Sequence, residues 1–185
     1  MKIKLFLALF LVLSITICCK DDVLPKPASQ LRLEYPKATY QAFTSPCPFT
    51  FEINRTANVE ADKDCGYSLH YKKMKATVYI TYKPVQNNID KLLRDAQKLT
   101  YEHVIKADDI LEQPFINSTD KVYGMFYRVN GNAATNAQFY VTDSVKHFLT
   151  GSVYFYAKPN YDSIMPATDY IKKDMRKIME TIRWK

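Results

Sequence analysis

Runs of aromatic and β-branched residues separated by short turns are the feature that most restricts the fold of this chain. The clearest run, "KATVYITYK" (75–83), alternates in polarity and stops at Pro84. A period of two places successive side chains on opposite faces of a β-strand, and proline interrupts strand pairing. Similar runs predict further strands at 47–53, 67–73, 111–116, 121–129, 137–142 and 146–156.

Two segments show helical periodicity instead. Apolar residues from Ile89 to Ala107 recur at i, i+3, i+4 and i+7, and a second stripe extends from about Pro166 to Arg183. Strands joined by short turns pair antiparallel, and amphipathic helices must cover a sheet face. The order therefore predicts an α+β fold: an antiparallel sheet of about six to seven strands covered by two long amphipathic helices.

The N-terminus has the pattern of an export signal. Lys2 and Lys4 precede an apolar run from Leu5 to Ile17. A basic start followed by 7–15 apolar residues is typical of a secretory signal, whereas a membrane-spanning helix needs about 20. We therefore predict a cleaved signal at residues 1–18 rather than an uncleaved anchor.

The end of this run is similar to a bacterial lipoprotein signal, in which cleavage occurs just before a lipid-modified cysteine. Cys19 follows the small residue Cys18, whereas Cys18 follows the bulky Ile17, so Cys19 is the better acceptor. Two or three acyl chains such as palmitate, at about 0.8 kcal/mol per buried CH₂, anchor a protein stably where one chain does not.

Residues 19–34 read as a tether, because they contain Pro25 and Pro27 and lack periodicity. A single globular domain is predicted for residues 35–185. Cys47 and Cys65 lie within it, and export to an oxidising compartment favours a disulfide between them over two separate buried thiols.

Composition and motifs disfavour several functional classes. The net charge of +7 becomes +5 without Lys2 and Lys4, and the basic residues are dispersed, which disfavours a nucleic-acid partner. Only four glycines occur, and no phosphate-binding loop is present. His70, His103 and His147 lack metal-type spacing, so we expect no metal and no cofactor.

Catalysis has one weak candidate. Asp143, Ser144 and His147 lie close together in sequence, but the nucleophile-elbow motif of hydrolases is missing. We therefore expect a protein that is not an enzyme and keep a hydrolase using Ser144 or His147 as an alternative. Ser144 and Ser163 each follow an aspartate and precede an apolar residue, which resembles an O-glycosylation motif of exported Bacteroidetes proteins.

Longer blocks carry a family resemblance. Five segments closely resemble the gliding-motility lipoprotein family GldD of the Bacteroidetes: 19–41, 47–52, 82–88, 131–155 and 158–174. The resemblance implies a cell-envelope lipoprotein required for gliding and linked to type IX secretion, with its lipid on Cys19. Lys20, Asp21 and Asp22 also resemble a surface-export signal of this phylum.

We therefore predict a lipid-anchored envelope protein that acts as an assembly or scaffold component of the gliding and secretion machinery. Its expected partners are other envelope proteins of that machinery, with the turn at 130–136 and the segment at 157–166 as contact regions. Its expected location is the outer membrane, on the periplasmic or the surface face. The alternative is a lipoprotein that binds a glycan or peptide through an aromatic sheet surface.

Overall fold

The aromatic and β-branched runs form strands, as their alternation predicts. A computed structural model describes residues 35–102, 107–156 and 161–185. Ten strands occur in these ranges: β1 Tyr40–Thr44, β2 Phe49–Asn54, β3 Asn58–Ala61, β4 Tyr67–Tyr71, β5 Ala76–Pro84, β6 Ala107–Asn117, β7 Val122–Gly131, β8 Ala137–Thr142, β9 His147–Phe155 and β10 Arg183–Trp184.

The helical part of these ranges consists of α1 (Ile89–Tyr101) and α2 (Tyr161–Thr181), with short 3-10 segments at Lys63–Cys65 and Lys72–Met74. The predicted signal and tether, residues 1–34, lie outside the described residues.

Seven strands form one antiparallel sheet in the order β3-β4-β5-β9-β8-β7-β6. This confirms the predicted antiparallel sheet. A second sheet, β1-β2-β10, was not predicted beyond its middle strand. Its outer strands carry little signal, because β10 has only two residues and β1 is mostly exposed.

The larger sheet is covered on both faces, which gives three layers. On one face, α2 and the small sheet enclose the main core, whose fully buried members include Phe49, Leu69, Val78, Ile171 and Met175. On the other face, α1 packs Leu92 and Ala96 against Phe148 of β9. The two faces follow from the alternation along β9, where Phe148 and Leu149 point in opposite directions.

Both helices differ from their predicted bounds. The expectation of two long helices is wrong for α1, which has 13 residues and ends at Tyr101. Its apolar pattern continues to Ala107, but that residue begins β6 and serves the strand instead. In contrast, α2 has 21 residues and begins before Pro166, which it holds inside the helix. Proline has no N–H, so α2 loses one backbone hydrogen bond there.

Candidate functional site

Three tyrosines form an exposed aromatic surface on the large sheet, here called the tyrosine face: Tyr79, Tyr154 and Tyr156. Tyr79 on β5 is 37% exposed and Tyr156, just after β9, is 60% exposed. The rings of Tyr79 and Tyr154 meet edge to face with centroids 5.8 Å apart. Strand pairing produces this contact. In the register of β5 and β9, Tyr79 lies opposite Ser152, and Tyr154 follows two residues later on the same face of β9.

A chain of hydrogen bonds fixes the hydroxyl groups of this surface. Tyr79 Oη lies 2.8 Å from Tyr156 Oη, and Tyr156 donates to Thr77 Oγ1 at 3.0 Å. Thr77 Oγ1 is 2.9 Å from His70 Nδ1, and His70 Nε2 is 3.2 Å from Glu60 Oε2. Every link is satisfied when Thr77 donates to Nδ1 and the Nε2–H of His70 donates to Glu60.

The Tyr79 hydroxyl on the tyrosine face stays neutral at neutral pH, and its oxygen can accept a hydrogen bond while its proton is shared with Tyr156. The hydrogen bond with Tyr156, followed by burial, raises the pKa of Tyr79 to about 12. A tyrosine combines a large apolar ring with a polar tip, which is why this residue type is enriched in binding surfaces. The arrangement can therefore stack on a ring or a peptide plane and hydrogen-bond its polar groups.

The same chain of contacts is poorly placed for catalysis. The order Thr77, His70, Glu60 resembles a nucleophile, a base and an acid. Thr77 is nevertheless fully buried, and its oxygen already accepts a hydrogen bond from Tyr156. The Thr77 hydroxyl therefore cannot reach a substrate carbonyl in this conformation.

The turn between β8 and β9 contains the residues of the hydrolase alternative. Asp143 Oδ1 accepts backbone N–H bonds from Val145, Lys146 and His147 at 3.0, 2.8 and 2.8 Å. Burial alone would raise the pKa of the Asp143 carboxyl, but these three donors lower it below its usual value. The carboxylate thus stabilises the turn, in which Ser144 adopts a left-handed φ of 66°.

His147 is engaged elsewhere. Its Nδ1 lies 2.9 Å from the Tyr82 hydroxyl, and its ring stacks on Trp184 with centroids 5.0 Å apart. Burial lowers the pKa of His147. Ser144 is exposed, and among the described contacts no hydrogen bond joins its hydroxyl to His147. The structure does not assemble these residues into a catalytic set.

The remaining sequence candidates fall in separate places. A disulfide joins Cys47 and Cys65, and so connects the start of β2 to the segment before β4. Ser163 is exposed near the start of α2, and with the exposed Ser144 it is accessible, so glycosylation stays a prediction for both. Cys19 and the export signal Lys20–Asp22 lie outside the described residues.

The predicted contact turn at 130–136 is more buried than expected. Ala133, Thr135 and Asn136 are buried, and the Asn136 amide donates to the carbonyls of Val129 and Gly131. The buried Asn136 amide thus provides hydrogen-bond donors for two backbone carbonyls of the turn. The second predicted contact region is 157–166, and the side chains of residues 157–162 lie outside the described part of the chain.

Metal-ligand clusters and membrane-crossing helices were both sought in residues 35–102, 107–156 and 161–185. Within these ranges, no cluster of three or more His, Cys, Asp or Glu side chains could hold a metal ion. No helix in the same ranges has the length and apolarity needed to cross a membrane.

The contacts that organise the tyrosine face are only partly visible in the sequence. The alternation in "KATVYITYK" already places Thr77 and Tyr79 on one face. The contribution of Glu60 is not visible in the sequence, because β3 has only four residues and its alternation is too short to predict a strand. Only the pairing of β3 with β4 places Glu60 near His70.

Nearly the whole chain is similar to one known protein family. A family model described as gliding motility lipoprotein GldD matches residues 20–184. The chain matches no curated protein.

Proposed function

The chain belongs to the gliding motility lipoprotein GldD family, and we propose that it is a lipid-anchored scaffold of the gliding machinery and its associated type IX secretion system. The observation that carries this proposal is the family match over residues 20–184 of a 185-residue chain. The match begins directly after Cys19, the residue to which we assign the lipid.

The proposed mechanism is physical confinement. Diacylglyceryl and amide-linked acyl chains on Cys19 would hold the domain at the outer membrane, on its periplasmic or surface face. Confinement raises the effective concentration of the domain near other envelope proteins of the machinery, so weak contacts suffice for assembly. Lys20, Asp21 and Asp22 would direct the protein to the surface.

The domain has no assigned reaction in this mechanism. The geometry of the two nearest approaches to a catalytic set supports that choice. Thr77 is buried beneath Tyr156, and Ser144 has no described hydrogen bond to a base. Contacts with partner proteins would use exposed apolar side chains instead, and Ile116 and Val145 are 73% and 68% exposed.

Complementation of a gene deletion tests the anchor. We expect wild type and Cys18→Ala to restore gliding of single cells, because both retain the acceptor Cys19 behind a small residue. We expect Cys19→Ala to fail although the protein accumulates. If Cys19→Ala restores gliding, the lipid is dispensable; if the deletion strain glides normally, the motility role is wrong for this chain.

A second candidate function rests on the tyrosine face, whose exposed rings suit a glycan or a peptide. The test is sedimentation of the full chain with peptidoglycan sacculi. We expect Tyr79→Ala and Tyr156→Ala to reduce binding and the control Tyr101→Ala, a similarly exposed tyrosine on α1, to leave it unchanged. Absence of binding by the wild type, or equal loss in the control, would reject this ligand.

A further inference from the structure

A basic pocket lies between α2 and the strands β6 and β7, away from the tyrosine face. Its volume is about 500 Å³, which lies within the range of roughly 300–1,000 Å³ typical of small-ligand sites. Asp169, Lys172, Lys173 and Arg176 reach it from α2, where spacings of three and four residues place them on one helix face. Arg128 reaches it from β7.

The charge in this pocket is strongly unbalanced. Four of its lining side chains are cationic and only Asp169 is anionic, which gives a formal charge of +3. Asp169 and Lys173 are exposed, whereas Lys172 and Arg128 lie deeper. Positive charges lining a concave, partly dry surface concentrate the electric field and attract anions.

Lys172 is mostly buried and Arg128 is half-buried, and each has a donor group without a hydrogen-bond partner among the described residues. Lys172 is only 8% exposed, and its ammonium group forms no hydrogen bond or ion pair with another described residue. Arg128 Nε is buried and has no hydrogen-bond partner in the same part of the chain. Most buried polar groups in proteins are hydrogen-bonded, and a buried charge without a partner is costly. These two donor groups are therefore available to an anion that enters the pocket.

The surroundings of Lys172 also change its pKa. Burial lowers the pKa of the Lys172 ammonium, the charge of Arg128 lowers it further, and Asp169 acts in the opposite direction. A bound anion would oppose both of the first two effects and stabilise the charged form.

The wall of the pocket is already held in place. Arg176 donates to Gln113 Oε1, and its guanidinium lies 5.0 Å above the ring centroid of Phe126. The Phe126 ring is itself buried and supports the Arg176 guanidinium from below. Groups that are fixed before binding lose less conformational entropy when a ligand arrives.

We propose that this pocket binds a phosphomonoester, with Arg128 and Lys172 as its inner ligands and Lys173 and Arg176 at its entrance. Guanidinium and ammonium groups are the usual protein partners of phosphate, and a dianionic phosphate supplies the acceptors that both inner groups lack. The volume leaves room for a glycerol or sugar unit beside the phosphate. Such a group can belong to a lipid headgroup or to a soluble phosphorylated molecule.

The test is isothermal titration of the full lipidated chain in non-ionic detergent with two probes. One probe is glycerol 3-phosphate, and the other is phosphatidic acid in mixed micelles, with phosphatidylcholine micelles as the reference. Binding of glycerol 3-phosphate identifies the phosphomonoester alone as sufficient. If phosphatidic acid binds and glycerol 3-phosphate does not, the ligand is a lipid headgroup. If neither probe binds, the proposal is wrong.

Matched variants separate the pocket from general charge attraction. We expect Lys172→Met to weaken binding about tenfold or more, because it removes one charge-assisted hydrogen bond. Thermal unfolding of this variant should occur at the same or a higher temperature, because an apolar side chain replaces a mostly buried cation that is repelled by Arg128. Lys98→Met, which removes an exposed lysine of α1, should bind like the wild type. Equal weakening in Lys98→Met would contradict a site at Lys172.

Discussion

At the scale of single residues, one buried carboxylate connects α2 to the small sheet. Asp174 is 1% exposed and accepts hydrogen bonds from Tyr40 Oη at 2.6 Å and Asn54 Nδ2 at 2.7 Å. Burial raises the pKa of Asp174, and the two hydrogen bonds act against that rise. The contact therefore depends on donors that reach the carboxylate from β1 and β2.

Tyr40→Phe removes one of these donors and keeps the ring. We expect the free energy of unfolding to fall by about 1–3 kcal/mol, because a buried charged acceptor loses a hydrogen bond. Urea unfolding measures this change. Tyr35→Phe is the control, because the Tyr35 hydroxyl has no hydrogen bond among the described residues; an equal loss in both variants would mean that the bond to Asp174 is not the cause.

Asp143 predicts how stability responds to acid. Its pKa is lower in the folded chain than the ordinary 3.8, so the unfolded chain binds the proton first. The contribution of Asp143 is therefore present above pH 3.8 and disappears as the pH falls through its lower folded value. We expect Asp143→Asn to be less stable than the wild type at neutral pH and the difference to shrink in acid.

Chemical denaturation at a series of pH values checks the sign of this effect. Asp95→Asn, which changes an exposed carboxylate of α1, should differ little from the wild type at any pH. A difference for Asp143→Asn that grows as the pH falls would contradict the assigned shift.

At the scale of secondary-structure elements, the disulfide connects the two sheets. Cys47 precedes β2 of the small sheet, and Cys65 lies just before β4 of the large sheet, with 18 residues of sequence separation. We expect the double variant Cys47→Ala/Cys65→Ala to lose about 3 kcal/mol of stability, because the unfolded chain gains the freedom of that loop. The midpoint of urea unfolding measures the loss.

Reduction provides the control for this prediction. The wild type in excess dithiothreitol should unfold at the same urea concentration as the double variant. An unchanged midpoint in both samples would mean that the bridge contributes nothing to stability.

The bounds of the strands and helices show which sequence patterns predict structure well. The predicted strand at 137–142 has the bounds of β8, because its alternation is complete and turns flank it. The predicted end of α1 is wrong, because Ala107 fits a helical stripe and a strand equally well. Short strands such as β3 are hard to predict, because the alternation of its four residues is too brief to distinguish a strand from a loop.

At the scale of the whole molecule, local patterns predicted the antiparallel sheet, but its strand order and the second sheet depend on long-range contacts. The central pair β5-β9 places Val78 opposite Val153, and no periodicity encodes which strands become neighbours. The tyrosine face and the basic pocket arise from such pairings. Tyr156, just after β9, contacts Thr77 of β5, and Arg128 of β7 lines the pocket together with Lys172 of α2.

The anchor and the domain make separable contributions to the proposed function. In the proposed mechanism, the lipid on Cys19 would confine the protein and the domain would supply the contacts with partner proteins. The family match covers the domain and the tether but not residues 1–19. A different anchor of the same kind should therefore replace the native one without loss of function.

The most direct test is an anchor exchange in a deletion strain, scored by gliding of single cells. One form carries residues 20–185 behind the signal and cysteine of an unrelated outer-membrane lipoprotein, and the other carries them behind a cleaved signal without a lipid acceptor. At equal protein levels, we predict that the lipidated form restores gliding and the unlipidated form does not. Restoration by the unlipidated form would contradict confinement by the lipid as the basis of function.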